Sequence, residues 1–184
     1  DALPILGSSG EVVCAHAENR PAGGMQDRVT CMVRHEEGTL VSHYHGFDQV
    51  GPMDRTDHRI VCELGDIRVE GWIPLRMEID AAVDAEGLMR LLEIIGQREP
   101  RSVEPLEDTA QNQGRGRRWP IDRRVRIDYL PLSDKQEIYA ASVRDLLADQ
   151  IALLADPAHR RRMTEENGLA ALETAETARG MAGE

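Results

Sequence analysis

Residues 57–74 restrict the fold more than any other part of the chain: Asp-His-Arg-Ile-Val-Cys-Glu-Leu-Gly-Asp-Ile-Arg-Val-Glu-Gly-Trp-Ile-Pro. Two short runs alternate apolar and polar residues and meet at Glu63-Leu64-Gly65-Asp66. Alternation with period two sends apolar side chains to one face of a strand, and a glycine-containing break reverses the chain, so the block predicts a β-hairpin. A hairpin with one apolar face needs more strands and a covering layer before it is stable in water.

The flanking sequence supplies both. Glu11–Glu18 reads as a strand, and residues 19–24, with Pro21, Gly23 and Gly24, read as a loop. Arg28–His35 places Val29, Cys31 and Val33 on one face, Glu36-Glu37-Gly38 is a turn, and Thr39–Phe47 returns antiparallel. Asp48–Thr56 reads as a loop, and Leu75–Ala81 as a further strand. From Asp84 the period changes: Leu88, Leu91, Leu92 and Ile95 follow helical spacing, with Asp84 as N-cap and Gly96 as the stop. Residues 97–118 are polar and rich in Pro, Gly and Arg and are expected to run over the surface; Arg123–Leu130 reads as a strand. Ser133 with Gln136 fits a capping box opening a helix whose stripe is Tyr139, Val143, Leu146, Leu147, Ile151 and Leu154. Asp156-Pro157 breaks it, and residues 157–184 form a peripheral helix with a thin stripe of Met163, Leu169 and Leu172. Strands first and helices last give an α+β fold: an open, mainly antiparallel or mixed sheet with helices packed on one face. The other face then meets water, another domain or a second subunit.

Composition narrows the function. The net charge of −11 argues against a general nucleic-acid binder and against anionic membranes, and no run approaches the length of a membrane helix. Three cysteines, Cys14, Cys31 and Cys62, sit in strand-like apolar runs without CxxC spacing; they read as core residues in a reducing, cytoplasmic setting. Lys135 is the only lysine and lies in a polar helix start, which reads as a solvated surface position.

No phosphate-binding glycine loop, HExxH or GxSxG motif is present. The best local constellation is Ser42-His43-Tyr44-His45, where His43 and His45 share one face of a strand. A carboxylate or a third histidine, such as His16 or His35 on neighbouring strands, is needed to make a metal site of them; the simpler reading is a polar sheet face meeting water or another subunit. The arginines at 115, 117, 118, 123, 124 and 126 form a basic cluster that reads as a solvated edge paired with local acids.

One family has a matching order of short words. Asp1-Ala2-Leu3-Pro4-Ile5-Leu6 precedes Gly10-Glu11-Val12-Val13; Asp27–Val33, Glu37-Gly38-Thr39-Leu40 and Val61–Val69 follow; Tyr139–Leu154 and Gly168-Leu169-Ala170-Ala171-Leu172 with Ala175 close the series. This series resembles the C-terminal domain of the Gfo/Idh/MocA oxidoreductases (glucose-fructose oxidoreductase and inositol dehydrogenase-like proteins). The resemblance implies that residues 1–184 form the substrate-binding and oligomerisation domain of a longer NAD(P)-dependent dehydrogenase acting on a sugar, polyol or related small molecule. Asp1, with no initiator methionine, reads as a cut into that longer chain. A homo-oligomer through the open sheet face is expected, and NAD or NADP is expected of the full-length parent, held by a Rossmann half. No catalytic or cofactor-binding residue transfers to this chain, and the fragment alone is expected to be inactive. The alternative is a stand-alone α+β ligand-binding or interaction domain.

Overall fold

A computed structural model describes residues 10–19, 26–47, 49–53, 55–96, 99–107, 113–114, 116–130, 133–161 and 163–183; the expected loop at 20–24 lies outside them. The chain forms two compact units, Asp1–Asp54 with Val143–Glu184, and Arg55–Ser142. Among the described residues all strand pairing is antiparallel, with one helix inserted between strands and two helices at the end, an α+β arrangement. The strands lie in separate sheets rather than one.

The first unit holds a three-stranded sheet in the order β1 (Gly10–Asn19), β2 (Gln26–His35), β3 (Leu40–Gly46). The turn between β2 and β3 uses Gly38 at φ 80°, a left-handed conformation that favours glycine. Register fixes the faces: Ala15, Cys31 and His43 are cross-strand neighbours, as are Ala17, Val29 and His45. The pairing of β1 with β2 slips between Val12 and Cys14, leaving Val13 as an extra residue. Such a bulge reverses the alternation beyond it. Val12 therefore faces the core whereas Cys14 faces out, which corrects the expectation that Cys14 is a core residue.

The second unit holds a five-stranded sheet in the order β4 (Asp57–Cys62), β5 (Gly65–Glu70), β6 (Arg76–Val83), β10 (Arg123–Tyr129), β7 (Ser102–Pro105), with a short hairpin of β8 (Gln113–Gly114) and β9 (Arg117–Arg118). The hairpin read from residues 57–74 is there, with Cys62 opposite Gly65. Cys62 sits at this exposed strand end and is also not a core residue. β7 lies within the stretch expected to be a surface excursion. It is too short for its alternation to register, and its terminal proline is tolerated because β7 is an edge. Helix α1 (Ala85–Ile94) opens where expected: the Asp84 carboxylate accepts the Gly87 N–H at 2.7 Å, and Gly96 at φ 65° ends it. Ile79, Val125 and Ile127 form the buried apolar layer of this unit.

Helix α2 (Lys135–Ala155) crosses the boundary between the units. Its cap is Asp134 rather than Ser133: the Asp134 carboxylate accepts the N–H groups of Gln136 and Glu137. Both residues are good caps, and the one whose side chain reaches the free amides sets the start. Its stripe, Tyr139 through Leu154, is exposed. Tyr139 meets Trp72 at a ring separation of 6.1 Å. Asp156-Pro157 ends α2, but the next helix, α3 (Glu165–Ala182), begins later than expected, behind Thr164. The connection is tied by His159 to Asp149 at 2.8 Å and Arg161 to Gln150 at 2.8 Å.

α3 packs on β1. The expected stripe of Met163, Leu169 and Leu172 is exposed, and the face toward the sheet is instead Ala171, Thr174 and Ala178. Small residues on this face let the helix approach the sheet closely, with Ala178 against Val12, Cys31 and Val33. Val12, Cys31, Val33 and Ala178 form the core between them.

Candidate functional site

The candidate site is the space between α3 and the inward face of the three-stranded sheet. His43 and His45 lie on one face of β3, as residues i and i+2 of a strand do, with ring centres 6.2 Å apart and planes 11° from parallel. His35, on β2, shares their face and is buried to 5% exposure. Beside it, a Cβ at Gly10 would run into Val33 and stand 3.2 Å from His35 Nε2, so glycine lets β1 close over the imidazole. His16 points the other way: its neighbours are Thr30 and Tyr44. It does not join His43 and His45.

Two clefts meet at His43. One, of about 380 Å³, is lined by Glu11, His35 and His43 from the sheet and by Glu173, Thr174 and Thr177 from α3. The other, of about 410 Å³, has Val29, Cys31, His43 and His45 as its floor, Ala171, Ala175 and Ala178 as its wall, and Glu176 and Arg179 from the helix. One end is therefore rich in hydroxyl, imidazole and carboxylate groups and the other is apolar with charged residues on its helix side. Burial, with the neighbouring imidazoles His45 and His35 adding to it, holds the His43 pKa below its ordinary value, so its ring is a neutral donor and acceptor at neutral pH. Burial, and then Cys14, raises the Cys31 pKa and keeps a thiol in the cleft floor. Among the described residues no group of three or more His, Cys, Asp and Glu is placed to hold a metal ion, so the third ligand that a site at His43 and His45 requires is not supplied.

Sequence reasoning found His43 and His45 but missed the helical half of the site. The signal was present as the small-residue spacing of Ala171, Thr174 and Ala178, overshadowed by the larger Leu169 and Leu172.

The other candidates resolve differently. Arg123 binds Asp122 at 2.5 Å, Arg124 binds Asp80 through two bonds, Arg126 reaches both Asp80 and Glu104, and Arg117 lies 4.6 Å over the ring of Trp119. These cationic groups are engaged within the sheet and hairpin; Arg115 lies outside the described residues. Lys135 is exposed at the start of α2. No described helix is long and apolar enough to cross a membrane.

A nicotinamide dinucleotide needs a strand leading through a glycine turn into a helix whose free N-terminal amides take the pyrophosphate. Among the described residues the strand that runs directly into a helix does so at β6–α1, and that junction does not fit. Asp84 and Glu86 carry negative charge there, and the Asp84 carboxylate already takes the Gly87 amide. No family model matches the chain, and no curated protein or solved structure matches it either.

Proposed function

We propose that this chain is a small-molecule binding module, the substrate and oligomerisation part of an NAD(P)-dependent oxidoreductase that acts on a sugar, polyol or related molecule. The cleft beside α3 carries the reading. Its mix of imidazole, threonine and glutamate side chains, from His35, His43, Glu11, Glu173, Thr174 and Thr177, suits a ligand dense in hydroxyl groups. The ordered series of Gfo/Idh/MocA-like words supports the enzyme assignment, and the antiparallel α+β fold is compatible with it. The dinucleotide is left to a separate domain, since the β6–α1 junction is unsuited to it; in the parent enzyme NAD or NADP would supply hydride transfer, while the residues of the cleft bind and orient the substrate.

The second reading, a stand-alone interaction domain, draws on the exposed apolar stripe of α2. Titration of the protein with a panel of polyols, aldoses and sugar acids, followed by two-dimensional NMR, separates them. Binding that perturbs the His35 and His43 signals and is lost in His43→Ala supports the first reading. A panel that leaves those signals unmoved sinks it. The enzyme assignment is tested independently by the genomic reading frame: a GxGxxG in a βαβ unit and a later Glu-Lys-Pro upstream support it, and a start codon near Asp1 rules it out.

A further inference from the structure

We propose that the polar cleft beside α3 takes a polyol carrying a protonated amine, an amino polyol or amino sugar, and rejects sugar acids and sugar phosphates. This ligand class rests on the reading of the cleft as a polyol site and narrows it.

The helix side of the cleft offers hydrogen-bond acceptors. Thr174 Oγ1 lies 2.8 Å from the Ala170 carbonyl oxygen, and Thr177 Oγ1 lies 2.8 Å from the Glu173 carbonyl oxygen. A carbonyl oxygen only accepts, so each hydroxyl commits its single proton to the helix backbone. What each can still present is a lone pair. Glu173, one turn before Thr177 and lining the same cleft, adds a carboxylate, which also only accepts. From the sheet, His43 is neutral at neutral pH, because burial and the neighbouring imidazoles hold its pKa low, and it brings one N–H and one lone pair.

Charge points the same way. The titratable residues of the lining are Glu11, His35, His43 and Glu173, and no lysine or arginine is among its described members. Arg179 lines the apolar cleft, where Glu176 holds it at 2.9 Å, while Glu173 makes no ion pair among the described residues. A carboxylate or phosphate entering the polar cleft would bring acceptors to acceptors and a negative charge to Glu173, with its hydration lost and little to replace it. A polyol hydroxyl can donate to Thr174 or Thr177, and an ammonium brings three donors and a charge that complements Glu173. The described residues supply no set of metal ligands, so the cation that fits is an ammonium rather than a metal ion. The volume of about 380 Å³ suits a single sugar-sized molecule.

The test is calorimetric titration of the full chain at neutral pH and about 0.15 M salt, where distant charges are screened. The ligands are sorbitol, glucamine and gluconate, which share a carbon skeleton and differ at one end by hydroxyl, ammonium and carboxylate. Glucamine should bind about fivefold or more tighter than sorbitol, and gluconate more weakly than sorbitol. Glu173→Gln should bring glucamine to within about twofold of sorbitol and leave sorbitol within about twofold of its wild-type affinity. Glu86→Gln, the same change of net charge on α1, should leave the preference for glucamine intact. Thr177→Val, which exchanges the hydroxyl for a methyl of similar size, should weaken sorbitol and glucamine alike by about threefold to tenfold. Circular dichroism confirms that each variant is folded. Sorbitol or gluconate bound as tightly as glucamine, or a preference for glucamine that survives Glu173→Gln, overturns the inference and leaves the polyol reading standing. Failure of all three ligands to bind overturns both.

Discussion

Replacing Asp80 by Asn should destabilise the five-stranded sheet by about 1–2 kcal/mol. The Asp80 carboxylate accepts from Arg124 Nε at 2.7 Å and Nη2 at 2.6 Å, and from Arg126 Nε at 3.3 Å. Arg126 is its direct cross-strand neighbour on β10. A charge-assisted hydrogen bond in a buried setting contributes about 1.5–3 kcal/mol, whereas an exposed ion pair gives about 0–1 kcal/mol. The carboxylate is 21% exposed and its partners 45% and 38%, which places the group between those limits. Arg124 and Arg126 regain part of their hydration when the charge is removed, and the amide keeps one acceptor. Urea unfolding at neutral pH should show the midpoint falling by about 0.5–1 M with an unchanged slope. Glu86→Gln, which breaks the exposed helical pair with Arg90, is the control and should cost about 0.5 kcal/mol or less. Acid gives the second half of the test. The Arg124 hydrogen bond, opposed by burial and assisted by the charges of Arg124 and Arg126, holds the Asp80 pKa below its ordinary value. Its contribution is thus complete above the unfolded value of about 4 and is lost as pH falls through the lower folded value. The gap between wild type and Asp80→Asn should close over that window. An Asp80→Asn penalty no larger than that of Glu86→Gln, or one that persists unchanged well below pH 4, refutes the reasoning.

Gly65→Ala should be among the most damaging single changes, at about 2–4 kcal/mol by thermal unfolding, because the new Cβ would run into the Asp80 carbonyl oxygen and stand 2.7 Å from Ala81 Cα. Gly38→Ala meets no neighbour and should cost about 1 kcal/mol for its φ alone. Asp134→Ala should cost about 1 kcal/mol of α2 stability and Ser133→Ala almost nothing, read from helical circular dichroism on heating. The His43 pKa is lowered in the folded state, so its contribution is whole above the unfolded value of about 6.5 and declines as pH falls below it. His43→Gln should flatten the pH dependence of stability as pH falls below about 6.5; an unchanged profile would show that burial of this imidazole carries no cost.

Most strands, both chain reversals and two helix ends were legible because each is set by residues adjacent in sequence. Glu63-Leu64-Gly65-Asp66 turns the chain, Glu36-Glu37-Gly38 turns it again, and Asp84 and Gly96 bracket a helix whose apolar spacing is unambiguous. The α+β class follows from the order of those elements. Half of the candidate site was legible for the same reason: alternation alone puts His43 and His45 on one face.

What lay beyond reach depends on residues far apart in the chain. A one-residue slip against β2 turns Cys14 outward, and nothing within β1 announces it. β7 became a strand because the edge of β10 was there to pair with. α3 presents alanine and threonine rather than leucine to the sheet, where Ala178 packs against Val12, Cys31 and Val33. Local sequence fixes periodicity, turns and caps through interactions across a few residues. Which face is covered, which edge is left open and which side chains line a cleft are decided by excluded volume and register between segments, and these exist only once the chain has folded.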